Sequence, residues 1–446
     1  MRNHRAQPIL QTHDLIIGAG LAGLAYSQFT DQSNIILERS QEVGGVAKSR
    51  LIDGFTFDCT GHWLHLNDPE MATWIKGLFP EGFLEVNRRA EVHIAGVRTP
   101  YPFQANTHGL PTSIIADCVL GYFEAREAGL RGEHSPPRSF EDFIRQRMGD
   151  GIAKHFMIPY NTKMWTVPPS EMSHQWCGRF VPLPSPEEVI LGAITKAGAD
   201  RPVGYNSSFF YPKEKGIGEL PRRISGALNE RLKLESAVER VNWQEKIAHT
   251  SKGDAFEYKR LISTMPLPNL IDSLENTPEA IRDARRLLRC TTVTYWNVGV
   301  AGSGADNAPH WIYFPDKEIP FYRAGSPSAA IPSTAPKDHR SHYVEVSHPS
   351  EAPCPVSDDE LIAGLRDVNL LGPNEEPCLL ESHSIPCAYV IMDSEYGRAR
   401  ETLMTWLNQQ HIYSVGRYGA WTYDSMEGAM VQGRDLARKL NEPGAI

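Results

Sequence analysis

Gly18-Ala19-Gly20-Leu21-Ala22-Gly23 leaves few folds open to this chain. Before it, Asp14-Leu-Ile-Ile reads as a short buried parallel strand; after it, Leu21 to Phe29 reads as a helix of small and apolar residues, and Asn34-Ile-Ile-Leu-Glu38 as a second strand. A strand, helix and strand of these lengths belong to a doubly wound α/β sheet. In that setting Gly18 permits the tight turn, Gly20 lets a pyrophosphate approach the backbone, and Gly23 lets the helix pack closely. The helix N-terminus offers free N–H groups and the positive end of a dipole. Glu38 stands twenty positions after Gly18, where a carboxylate accepts hydrogen bonds from ribose hydroxyls. The expected ligand is a dinucleotide whose adenosine ribose carries no 2′-phosphate.

The choice of dinucleotide comes from further along. Glu42-Val-Gly44-Gly45-Val-Ala47 places a second glycine pair after the acidic residue and Arg39, a pattern that resembles FAD-binding proteins more than NAD-binding ones. Val238, within Ala237-Val-Glu-Arg-Val-Asn242, resembles the strand beside the adenine edge, and Leu261-Ile-Ser-Thr-Met265 the return strand. Near the end, Gly416-Arg417 follows a last strand, and Asp424 or Ser425 is placed to cap a helix beginning near Met426. The N–H groups of that helix would face the flavin pyrimidine, where negative charge collects on reduction.

The remaining chain is too long for one core and divides into parts. The expected FAD-binding domain spans 1–90, 201–265 and 386–446. A second, antiparallel-sheet domain takes 91–109 and 266–385, with strands at Thr291 to Val300, Trp311 to Phe314 and His342 to Val346. Residues 110–200 read as a helical insertion. A net charge of -9 offers no general attraction to nucleic acid or anionic membrane, and no apolar run reaches membrane-spanning length. The first residues lack a signal-peptide pattern, and the seven cysteines, never spaced C-x-x-C, suggest neither a zinc site nor a disulfide framework, so a cytoplasmic location and no metal are expected.

Five motifs then occur in order: Tyr101-Pro-Phe103-Gln104, Phe156-Met-Ile-Pro-Tyr-Asn161-Thr-Lys-Met-Trp165, Trp311-Ile-Tyr-Phe-Pro315, Pro320-Phe-Tyr-Arg323 and Gly416-Arg-Tyr-Gly-Ala-Trp-Thr-Tyr423. Together they resemble UDP-galactopyranose mutase, especially its eukaryotic branch, from about Asp14 to Leu440. The resemblance implies FAD in its reduced form, with NAD(P)H as a candidate reductant, and a UDP-sugar as small-molecule substrate. In that family the reduced flavin is the nucleophile toward the anomeric carbon, and the sugar changes ring size without net redox. Carried over, Tyr101 and Phe156 sandwich the uracil beside Phe103, Gln104 hydrogen-bonds its edge, and Asn161 stands near it. Trp165 sits on a mobile loop that closes over substrate. Asn206, Tyr313, Arg323, Tyr389 and Tyr423 meet the diphosphate, while Gly61 and His62 lie against the flavin ring.

The resemblance has a gap. A second diphosphate arginine belongs in Trp176-Cys-Gly-Arg179-Phe180, yet direct alignment puts Phe180 there and Arg179 one place early, which turns the side chain to another face. The competing expectation is therefore a flavin oxidoreductase akin to amine oxidases or protoporphyrinogen oxidase. The sugar, the electron donor and the oligomeric state, a homo-oligomer among the options, stay open at this stage.

Overall fold

The computed structural model describes residues 9–179, 181–196, 208–304, 308–442 and 444. Its first sheet follows from the apolar runs. Leu10–Ile17 lies between Ala255–Ser263 and Asn34–Leu37, parallel to both, and Leu15, Ile16, Ile36, Leu261 and Ile262 are fully buried. Continuous apolar stretches of this kind mark strands covered on both faces. Asp14 and Arg260 are register partners on adjacent strands, and their side chains pair at 2.8 Å, with Tyr26 Oη donating to the same carboxylate at 2.7 Å. That satisfied pair pins the register of two central strands.

Ala255–Ser263 forks at its far side. Its start pairs antiparallel with Ile247–Thr250, and its end pairs parallel with Ile412–Ser414. The last strand thus delivers Gly416, Arg417 and the helix Met426–Asn441 to the C-terminal edge of the sheet, where the glycine loop also lies. Helices Leu21–Phe29 and Met426–Asn441 cross closely because Gly433 has no side chain: a Cβ there would stand 2.3 Å from the Ala22 carbonyl oxygen.

The second sheet runs Pro377–Ile391, Arg289–Ala301, His339–Pro349, Arg323–Gly325, Trp311–Tyr313, Ala90–Ile94, Val97–Pro100. Every pairing is antiparallel except that of Trp311–Tyr313 with Ala90–Ile94. Pro377–Ile391 crosses the division expected at residue 385, and the short helix Pro327–Ala330 lies between Arg323–Gly325 and His339–Pro349. Within the helical part, Thr112–Leu130 and Phe140–Ile152 meet at glycines, and a turn at Ala153–Met157 leads into Ile158–Trp165.

Two expectations are corrected here. Cys290 and Cys387 form a disulfide; sequence spacing missed it because the two residues, 97 apart, meet only when Arg289–Ala301 and Pro377–Ile391 pair. Trp165, expected on a loop, ends the helix Ile158–Trp165 and is fully buried, since it packs edge-on against Trp176 and Tyr389 at 5.2 and 5.4 Å. Among the described residues no helix is long and apolar enough to cross a membrane, and no cluster of metal-ligating side chains occurs.

Candidate active site

The glycine loop is built around absent side chains. Gly18 adopts φ +98°, and a Cβ on Gly23 would stand 2.2 Å from the Gly18 carbonyl oxygen. Gly44 N donates to the Ala19 carbonyl at 2.8 Å, so the second glycine pair lies directly on the first, bridged as Gly20 to Gly44. Helix Leu21–Phe29 begins with no side-chain cap, leaving its first N–H groups for an anion. Glu38 is buried; its two oxygens accept from Ala19 N at 2.8 Å and Ser40 N at 2.9 Å, which aims the carboxylate while leaving lone pairs for a ribose. Ser236 N donates to the Glu38 carbonyl at 2.8 Å, bringing Val238 to this edge; Arg39 is exposed. At the other end Gly416, at φ +82°, donates to Gln432 Oε1 at 3.0 Å, and Ser425 caps Met426–Asn441 by accepting from Gly428 N at 3.0 Å. A cradle of glycine amides, a buried carboxylate at ribose distance and two helix N-termini fits FAD.

Gly61 and His62 come next. A Cβ on Gly61 would fall 2.2 Å from Tyr343 Oη and 2.8 Å from Trp63 Nε1, so a larger residue in this turn requires those side chains to shift. His62 Nδ1 hydrogen-bonds the Cys59 carbonyl. Burial pulls its pKa down to about 4, opposed by that carbonyl and reinforced by the charges of Arg417 and Arg323. The imidazole is therefore neutral near pH 7, which makes Nδ1 the donor to the carbonyl.

Arg323 opens a strand beside His339–Pro349 and faces Glu345, its register partner. The guanidinium clasps the fully buried Glu345 carboxylate: Nε donates at 3.0 Å, and one terminal nitrogen donates to both oxygens at 2.8 and 2.6 Å. Tyr322 Oη donates to the same carboxylate and lies 3.4 Å from Tyr389 Oη. Arg417 stands 4.7 Å above the Tyr423 ring and 5.4 Å above that of Tyr389, its nitrogens donating to the Asp424 and Ala388 carbonyls at 2.6 and 3.0 Å. Tyr389 and Tyr423 stack at 6.1 Å. Two guanidiniums and a row of tyrosine hydroxyls thus converge where the two sheets meet.

The aromatic residues form a chain rather than an open pair. Tyr101 lies 4.9 Å from Tyr313; Tyr313 meets Tyr160 edge-on at 5.3 Å; Tyr160 stacks on Phe156 at 5.3 Å, and Phe156 on Phe103 at 5.0 Å. Arg88 caps the Tyr101 face at 5.1 Å. Gln104 Nε2 donates to the Pro182 carbonyl at 2.6 Å, whereas its buried Oε1 has no protein partner. Asn161 accepts from Trp165 Nε1 at 3.2 Å and donates to Met157 O at 2.7 Å, so both polar ends are used inside its own helix. The main chain at Arg179 closes the short turn Cys177–Arg179, while Phe180 and Asn206 lie outside the described residues. Sequence reading missed Glu345, Tyr322, Tyr160 and Arg88. For Glu345 the signal was a lone carboxylate inside the apolar strand stretch Tyr343 to Val346, which can be buried only if it is paired.

A family model described as flavin containing amine oxidoreductase matches residues 30–441. The structure of a reduced UDP-galactopyranose mutase aligns with TM-score 0.87 and 28% identity, covering 97% of this chain and 94% of the other. A wild-type putrescine oxidase bound to putrescine aligns with TM-score 0.66 at 19% identity over 97% of this chain and 99% of its own, a likeness of fold alone. The chloroplastic protoporphyrinogen oxidase 1 of Arabidopsis thaliana is 22% identical over 250 residues, 50% of this chain. The chain spans about half the length of that curated relative, 46%.

Proposed function

From the premise that the chain belongs to the flavin containing amine oxidoreductase family, we propose that it is a FAD-dependent sugar-nucleotide mutase that interconverts pyranose and furanose forms of a UDP-sugar. The observation that carries this reading is the likeness to UDP-galactopyranose mutase at 28% identity across 97% of the chain. Two features of the site support it. Gln104 Oε1, buried and unpartnered, suits the imide N–H of uracil, and Arg323 with Tyr389 and Tyr423 suits a diphosphate.

Gly18, Gly20, Gly23, Glu38, Gly44, Gly45 and Gly416 would hold FAD, with Val238 at the adenine and Arg417 and Met426 toward the ring. Reduced FAD, when bound, would supply a nucleophile toward the anomeric carbon. The chain's own residues do the rest. Tyr101 and Phe156 hold the base, Arg323 stabilises the negative charge that grows on the departing diphosphate, and the hydroxyls of Tyr313, Tyr389 and Tyr423 donate to its oxygens. His62, neutral and fixed through Nδ1, fills the space beside the flavin without adding a cation. Arg323 must exchange part of its grip on Glu345 for the phosphates, so substrate binding and that ion pair compete.

A second reading, a flavin oxidoreductase acting on an amine, is favoured by Phe180 standing where the mutase pattern has a second diphosphate arginine. The two separate in one pair of assays. Enzyme kept reduced with dithionite should convert UDP-galactofuranose to UDP-galactopyranose, followed by anion-exchange chromatography. Conversion absent across several UDP-sugars, together with hydrogen peroxide formed in air on adding an amine, would leave the oxidoreductase reading in its place.

A further inference from the structure

Lys163 lies on the helix Ile158–Trp165, and its ammonium is ringed by main-chain oxygens. Nζ donates to the carbonyls of Phe314, Asp316, Ile319 and Phe321 at 3.0, 2.9, 2.8 and 2.7 Å. All four belong to the turn that joins Trp311–Tyr313 to Arg323–Gly325, closed at its neck by Phe314 N donating to the Tyr322 carbonyl at 2.9 Å. An ammonium has three protons, so four acceptors share them; burial pulls the Lys163 pKa down to about 7, so the peg is fully charged only below that pH. A compact point charge can be approached in this way from every side; a planar guanidinium, whose donors diverge, cannot.

The two elements joined by this contact carry different halves of the candidate site. The helix and the turn before it hold Phe156, Tyr160 and Asn161. The hairpin holds Tyr313 and Arg323, paired in register. Tyr160 meets the hairpin through ring contacts, 5.3 Å to Tyr313 and 6.2 Å to Tyr322, which leave sliding freedom that a charged peg removes. The geometry points to Lys163 as a positioning residue that sets the distance between the base-holding helix and the phosphate-holding hairpin. The inference rests on the nucleotide reading of the site. Registration of this kind raises the affinity of a ligand that spans both halves more than that of either fragment.

The test uses flavin-loaded full-length protein and calorimetric titration with UDP, uridine and inorganic pyrophosphate. In Lys163→Ala, UDP affinity is expected to fall about tenfold or more, while uridine and pyrophosphate each change by less than about twofold. Ethylammonium, small enough for the vacated cage, should restore UDP affinity, and tetramethylammonium should not. Lys163→Arg should lose UDP affinity too, and it serves as the test if the alanine variant fails to retain flavin. UDP affinity equal to wild type in both variants, or a parallel loss of all three ligands without ethylammonium rescue, overturns the role of Lys163 and leaves the nucleotide reading standing. Wild-type protein that takes up no UDP overturns the nucleotide reading itself, and the registration of its halves with it.

Discussion

His62 shows how much one buried side chain can say about pH. Its folded pKa is about 4 against an ordinary 6.5, chiefly through burial, with Arg417 and Arg323 nearby. Between those values the unfolded chain binds a proton that the folded chain refuses, so stability is fully present above pH 6.5 and falls as pH drops toward 4. His310 and His342 are held down to about 4 as well, again first by burial, and act in the same window. Guanidinium unfolding of the flavin-loaded protein at pH 7, 6 and 5 should show a steady loss of stability. His62→Asn should remove part of that slope while His310 and His342, with His65 and His93 lowered by burial as well, keep the remainder. A slope unchanged in the variant would mean that His62 titrates alike in the folded and the unfolded chain.

At the level of elements, the crossing of Leu21–Phe29 with Met426–Asn441 holds the glycine loop and the C-terminal helix together at one end of the first sheet. Its closeness depends on Gly433, where a Cβ would meet the Ala22 carbonyl oxygen at 2.3 Å and Tyr26 N at 3.0 Å. Both contacts are main-chain atoms in a helix, which cannot step aside alone. Gly433→Ala should therefore cost about 1–3 kcal/mol and loosen flavin, seen as a lower melting temperature and a lower visible-to-ultraviolet absorbance ratio on purification. Unchanged flavin content would separate the crossing from the cofactor site. The first element was legible in the sequence because its signals are local: an apolar run, a spaced glycine hexapeptide and an acidic residue at a fixed offset. Gly433 was not, since its reason is a neighbour some four hundred residues away in the chain. Glu345, Lys163 and the Cys290–Cys387 link were hidden for the same cause, whereas Arg323 was singled out only because it sits in a motif that resembles a known family.

Across the whole molecule, the candidate site lies where the helical part, the second sheet and the C-terminal segment meet, and its charge balance is set before any ligand arrives. Arg323, largely buried, is already neutralised by Glu345, which is itself 1% exposed and bonded by Tyr322. Removing one member of such a pair leaves a buried charge without compensation, a loss of about 3–5 kcal/mol. Glu345→Gln should accordingly melt well below wild type when no ligand is present. UDP should then stabilise the variant more than it stabilises wild type, because the incoming diphosphate replaces a missing carboxylate instead of competing with one in place. Differential scanning fluorimetry with and without UDP measures both quantities in one experiment. If UDP shifts the two proteins equally, Arg323 does not receive the diphosphate, and the cation for that task has to come from elsewhere in the cleft, with Arg417, 5.4 Å from the Tyr389 ring and 4.7 Å from that of Tyr423, the candidate.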